Sequence, residues 1–240
     1  MKKILVINPA TTDFFNDTTK NYLKEIKSAD TEIEVVSIKT GPSSIGSFYD
    51  KAFSLPEVLK IVDKCKSKFD AIVINCFSDP ALYEAREIAN IPVVGPGEAS
   101  MMIALMLGHK FGVVQTSKNY EPWIELQARS IGIERRLVGV AGIDVPFLEL
   151  EKDLKKTVRF FVNAARDLIK SKGAEVIVMG CTGMAPMARL IKEELEVPVI
   201  EPMATAFKVA ELMVNLKLTH SKIGLYMTRQ NTASVDSLIV

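Results

Sequence analysis

A chain of 240 residues with a formal net charge of +1 carries no basic surplus for a nucleic-acid surface. With 48% apolar and 25% charged residues, it has core material for one large α/β domain or two small ones. No run approaches the ~20 apolar residues that span a bilayer, and three cysteines at low density suit a reducing cytoplasm better than a disulfide framework.

The opening Met1-Lys2-Lys3 has the charge of a signal peptide, but residues 4–7 are too short an apolar run before Asn8-Pro9. Those residues read instead as a buried strand, with Asn8-Pro9-Ala10-Thr11-Thr12 as the loop at its carboxyl end. A helix is expected over 16–28 and a second strand over 32–38, followed by a long flexible connection at 41–46 rich in Gly, Pro and Ser. The helix expected over 55–66 puts Val58, Val62 and Cys65 on one face, so Cys65 reads as a small hydrophobe packed on the sheet. A strand at 71–74 then runs into Asn75-Cys76-Phe77-Ser78-Asp79-Pro80. Asp79 and Pro80 are the expected N-cap and first residue of a helix over 81–89, which favours a capping role for Asp79 over an acidic one. After a strand at 92–94, Gly95 to Ser100 should turn into a very apolar helix over 101–107, buried by its composition.

The pattern restarts at 110–115, with Thr116-Ser117 in the place that Pro9-Ala10 held before. A helix over 123–130, an Ile-rich connection and an amphipathic helix over 150–170 lead to a strand ending in Gly180-Cys181-Thr182-Gly183. A helix over 188–195, a strand at 197–200 and a helix over 204–216 follow, then an edge strand over 222–227 and a polar tail. Cys181 stands 105 positions after Cys76 (181 − 76) and Pro198 stands 106 after Pro92 (198 − 92), so a whole strand–cysteine–helix–strand unit occurs twice. Alternating aliphatic strands and helices predict α/β architecture with parallel sheets, whose ligands bind beyond the carboxyl strand ends. Asn8, Cys76, Thr116 and Cys181 all stand at such ends, and a site in the cleft between the two repeats is expected.

Metal chemistry lacks support in this pattern. His109 and His220 stand at expected helix ends, and neither a CxxC nor a His pair at ligand spacing occurs. Phosphate binding lacks a P-loop or GxGxxG after the first strand, and a hydrolase triad lacks its His. Two thiols at equivalent repeat positions suit proton transfer on both faces of a carbon acid: one thiolate removes a proton and the other thiol donates one. Each cysteine directly precedes an expected helix, whose N-terminus would lower the thiol pKa from ~8.5. Two buried structural cysteines are the competing reading.

The stretches Asn8-Pro9-Ala10-Thr11-Thr12, Cys76-Phe77-Ser78-Asp79-Pro80-Ala81-Leu82, Pro92-Val93-Val94-Gly95-Pro96-Gly97-Glu98-Ala99 and Gly180-Cys181-Thr182-Gly183-Met184 resemble the aspartate/glutamate/hydantoin racemase superfamily over essentially the whole chain. They are most similar to its hydantoin and allantoin racemase branch. The resemblance implies two flavodoxin-like parallel-sheet halves related by a pseudo-twofold axis, with the active site in the cleft between them. It implies halves at 1–98 and 99–206, with 207–240 returning to the first half. It further implies a cofactor-independent racemase in which Cys76 and Cys181 are the acid/base pair and Asn8, Ser78, Thr116, Thr182 and Gly183 bind substrate, with no metal and no cofactor. The expected partners are a small-molecule substrate and copies of the same chain in a homo-oligomer, with no nucleic acid and no membrane. Phe77 and the small Gly183 suit a 5-substituted hydantoin or allantoin better than free aspartate or glutamate, while Ala10 stands where that branch carries a second Asn. An amino-acid racemase, a maleate-type cis–trans isomerase and a non-catalytic ligand-binding or redox-sensing protein remain the alternatives. An arylmalonate-type decarboxylase would lack the first cysteine.

Overall fold

A computed structural model describes residues 1–150 and 152–228. The chain divides into two compact units: Met1–Gly95 joined by the chain from Ala206 onward, and Pro96–Thr205. Each unit is built on its own four-stranded, fully parallel sheet.

In the first unit the order along the chain is β1 (Lys2–Asn8), α1 (Phe14–Ile26), β2 (Thr31–Ser37), α2 (Phe48–Cys65), β3 (Ala71–Ile74), α3 (Leu82–Ile88) and β4 (Val93–Val94). The sheet order is β2-β1-β3-β4. Helices must cover both faces of such a sheet, so its central strands carry no polar face: Ile4 to Ile7 and Ala71 to Ile74 are fully buried. Leu5, Ile7, Ile72 and Ile74 pack with Val58 and Val62 of α2 and Leu82 and Ala85 of α3, and Cys65 packs against this cluster as its position on α2 implied.

The second unit repeats the plan with α4 (Pro96–Leu107), β5 (Phe111–Gln115), α5 (Glu121–Ser130), β6 (Leu137–Gly142), α6 (Leu154–Lys172), β7 (Val176–Met179), α7 (Ala188–Glu194) and β8 (Val199–Ile200). Its sheet order, β6-β5-β7-β8, is that of the first unit. The amphipathic α6 buries Val158, Phe161, Val162, Ala165 and Leu168. Each large aliphatic or aromatic side chain so placed is worth about 1.5–3 kcal/mol relative to exposure. The helix is capped at both ends, by the Asp153 carboxylate accepting from Lys156 N–H and by Gly173 in the left-handed region at φ 71°. A last helix, α8 (Pro202–Asn215), begins in the second unit and ends in the first.

Several elements depart from the sequence expectation, each for a local reason. Helix α2 starts at Phe48, well before residue 55, because Ser47 Oγ accepts from Asp50 N–H and the Asp50 carboxylate accepts from Ser47 Oγ–H and Gly46 N–H. That reciprocal cap outweighs Pro56, which stands inside the helix. Helix α4 starts at Pro96, whose missing N–H costs nothing in a first turn. It is apolar all round but not buried all round, since Met106 is 79% exposed. The Ile-rich connection contains strand β6, a half-buried edge strand whose glycines weaken the β signal. Residues 222–227 are not an edge strand. They lie across the C-terminal end of α3, with Lys222 Nζ donating to the Arg86 and Glu87 carbonyls and the Arg86 guanidinium bonded to Tyr226 Oη. The polar tail beyond residue 228 lies outside the described residues.

Candidate active site

The carboxyl ends of the two central strand pairs are built alike. Asn75 N–H donates to the Ile7 carbonyl, and Gly180 N–H donates to the Val114 carbonyl, each bond carrying the ladder one step past the strand end. Cys76 and Cys181 each follow at the same offset from their strands, β3 ending at Ile74 and β7 ending at Met179. All three cysteines are free thiols, partly exposed.

In the first unit, Asn8 is buried at the end of β1, and its side-chain carbonyl accepts from Asn75 Nδ2 at 2.8 Å. Its own Nδ2 donates to Asn16 Oδ1, which also accepts from Ser37 Oγ. This amide relay joins β1, α1, β2 and the cysteine loop. Cys76 Sγ lies 3.2 Å from Ser78 Oγ. Burial pushes the Cys76 thiol up from its ordinary value; the Ser78 hydroxyl and amide N–H and the Lys51 cation pull the other way, and the Asp79 carboxylate adds to the rise. Helix α3 begins at Leu82, within one residue of the expected start, so Cys76 precedes it by a short loop and does not sit in its first turn. Asp79 is not the cap of α3 either. It adopts a left-handed φ of 48°, its N–H donates to the Cys76 carbonyl, and Ala81 at φ 60° precedes the helix without a side-chain cap. The buried Asp79 carboxylate fills the space that a side chain at Gly95 would need, since a Cβ there would lie 2.4 Å from Asp79 Oδ1.

In the second unit, Cys181 holds the N-cap position of a 3-10 turn, Thr182–Met187, in extended backbone. Met184 N–H donates to its carbonyl, and its side chain packs against the core of that unit. Thr116 is buried at the end of β5, and its N–H donates to Gln115 Oε1. The Gln115 side chain also passes Gly180, where a Cβ would come within 2.7 Å of it. Gly183 stands against Phe147, whose ring edge would lie 2.3 Å from a Cβ at 183. An aromatic wall therefore flanks the Cys181 loop where a larger residue would otherwise project. Phe77, which the sequence reading matched to a substrate with an apolar substituent, is only 3% exposed. Each unit thus brings its own predicted residues together: Asn8, Cys76 and Ser78 in the first, Thr116, Cys181, Thr182 and Gly183 in the second. Among the described residues, no group of three or more His, Cys, Asp or Glu side chains could hold a metal ion, and no helix is long and apolar enough to cross a membrane.

Comparison with known proteins gives this arrangement a family. The Asp/Glu/Hydantoin racemase family profile matches residues 4–210. The chain belongs to the Asp/Glu/Hydantoin racemase family. It is therefore an isomerase of the racemase class. Among curated proteins it is 34% identical to a hydantoin racemase of a Pseudomonas species, covering 98% of this chain and 95% of that one. It is 32% identical to a hydantoin racemase of Rhizobium meliloti over 93% of each. Among solved structures it is similar to the allantoin racemase of Klebsiella pneumoniae, with a TM-score of 0.91 and 31% identity over 98% and 96% of the two chains. The allantoin racemase of Pseudomonas fluorescens gives a TM-score of 0.92 and 30% identity over 97% and 99%. A glutamate racemase from Francisella tularensis, at 20% identity and a TM-score of 0.64, shares the fold alone.

Sequence reasoning missed four polar residues that the fold places beside these candidate positions. Gln115 was within reach, since it occupies in β5 the place of Asn8 in β1. Asn75, Asn16 and Lys51 carried no signal of their own, because the fold alone decides that they meet Asn8 and Ser78.

Proposed function

We propose that the protein is a cofactor-independent racemase for a carbon acid alpha to a carbonyl, with 5-substituted hydantoins or allantoin as its substrate class and Cys76 and Cys181 as its acid/base pair. The observation that carries the reading is the placement of two free thiols at the same offset beyond the same strand of two repeated sheets, in a chain like hydantoin and allantoin racemases over nearly its full length. In this mechanism the thiolate of one cysteine takes the proton from the stereogenic carbon. The electron pair moves into the adjacent carbonyl to give an enolate, and the thiol of the other cysteine protonates the opposite face. The first cysteine ends as thiol and the second as thiolate, so the site is ready for the reverse enantiomer. Asn8, Ser78, Thr116, Thr182 and Gly183 are the substrate-binding positions in this reading.

Phe147 over Gly183 favours a ring with an apolar substituent over a free acidic amino acid. Three cysteines, none of them in a disulfide, suit a cytoplasmic enzyme, and the reading takes the functional form to be a homo-oligomer acting on a small molecule without nucleic acid or membrane. The test is to incubate enantiopure 5-substituted hydantoins and allantoin with the protein in deuterated water. Loss of optical activity with one deuteron per inverted centre is expected. An inert protein, or one that turns over only free aspartate or glutamate, would refute the substrate class.

A further inference from the structure

Lys51 stands on the first turns of α2, a helix whose start is set by the Ser47–Asp50 cap. Its ammonium crosses to the loop after β3 and donates to the Ser78 carbonyl at 2.6 Å. Ser78 is the residue whose hydroxyl lies 3.2 Å from Cys76 Sγ. The three polar groups of Ser78 are therefore divided: the carbonyl points to Lys51, while the hydroxyl and the amide N–H point to the sulfur. We propose that Lys51 is a positioning residue for Cys76, holding the Ser78 peptide so that its two donors face the sulfur and placing a cation beside the thiolate when it forms. This assignment rests on the reading of Cys76 as an acid/base group.

The electrostatics agree with the geometry. Two charges act on the Cys76 thiol. Asp79, on its own loop, disfavours the thiolate, and Lys51, reaching in from α2, favours it. Burial is the largest influence and also disfavours the thiolate, and no α-helix begins at Cys76 to counter it. The Ser78 donors and Lys51 act against that rise, and the same lysine supplies a charge and fixes the donors. A charge-assisted bond from an ammonium to a carbonyl is among the stronger neutral-acceptor bonds, so the Ser78 peptide has a defined orientation rather than a choice of several.

The test follows Cys76 itself, without substrate. In the full-length protein, iodoacetamide alkylation of Cys76 and Cys65 is measured by peptide mass spectrometry from neutral to alkaline pH. The parent is compared with Lys51→Met, Lys51→Gln and Lys51→Arg. The shape of each profile reports ionisation, and its alkaline plateau reports access. Lys51→Met and Lys51→Gln should slow Cys76 alkylation about three- to tenfold near neutral pH and move its midpoint upward, because only the thiolate reacts. Lys51→Arg, which keeps charge and donor, should stay near the parent, and Cys65 should not respond. In racemisation assays the two neutral variants should lose kcat with little change in KM. An unmoved Cys76 profile in both neutral variants overturns the proposal. So does an equal movement of Cys65, or a fold lost in both neutral variants and kept in Lys51→Arg. A parent protein that exchanges no hydantoin proton would refute the substrate reading, while the alkylation profiles would still decide the role of Lys51.

Discussion

Cys76 and Cys181 occupy equivalent places yet have different surroundings, and the difference has consequences at the level of single residues. Cys76 is flanked by Ser78, Asp79 and Lys51, whereas Cys181 is flanked by Thr182 and the glycines at 180 and 183, with Gln115 and Phe147 packed on those glycines. Because burial raises the Cys76 thiol, its alkylation should increase into the alkaline range beyond the ordinary thiol midpoint. Ser78→Ala removes a donor to the sulfur and should move that midpoint further up, readable in the same alkylation profile; a downward shift would contradict the assignment of Ser78. The linkage runs the same way. As pH rises through the ordinary thiol range, Cys76 ionises first in the unfolded chain, so its contribution to stability declines on the alkaline side. Changing either cysteine to Ala should cost racemisation about 10²–10⁴-fold, since each direction needs both a base and an acid. The surviving thiolate should still exchange the proton of one enantiomer with retention, and the two variants should prefer opposite enantiomers. Two variants exchanging the same enantiomer would rule out opposed acid/base groups.

At the level of elements, the most telling contact is made by α8 where it enters the first unit. The buried Glu211 carboxylate accepts from Ser28 N–H and Oγ–H, from Thr31 Oγ–H and from Lys208 Nζ, so one side chain ties α8 to the turn that starts β2. Burial alone would raise this carboxyl, but the bonds from Lys208, Thr31 and Ser28 outweigh it and hold it below the usual Glu value. A depressed carboxyl stabilises the fold above its unfolded pKa, and that stability is lost as pH falls through the folded value. Glu211→Gln should therefore lower stability at neutral pH by about 1.5–3 kcal/mol, the scale of hydrogen bonds to a charged group. The gap to the parent should close in acid, below about pH 4.5 and progressively further down. Urea titrations at neutral and acid pH check this, and a constant gap would show that charge is not the cause.

For the molecule as a whole, two units with the same strand order and the same cysteine placement account for the internal repeat. The absence of a clustered ligand set among the described residues leads to a direct expectation: activity should survive prolonged chelation and dialysis. Activity lost to a chelator and regained with a divalent ion would remove the cofactor-independent reading.

The α/β class, the parallel strands and the two cysteine positions followed from the chain alone, because aliphatic runs of strand length and a repeat of fixed spacing are properties of residues along one line. Cys65 was also legible, since helical periodicity placed it with Val58 and Val62. What only the tertiary structure decided lies in cap geometry and in contacts between distant segments. Asp79-Pro80 has the composition of a helix start, but Asp79 turns left-handed and fills the space beside Gly95, so Ala81 stands at the N-cap of α3 without a side-chain cap. Strand β6 was hidden because its pairing with β5, not its own propensity, makes it a strand. Lys51 and Ser78 are 27 positions apart, and no local pattern announces their bond. Periodicity reports which face of an element is buried; it carries no information about which polar groups the buried faces bring together, and here that meeting sets the chemistry of the thiol.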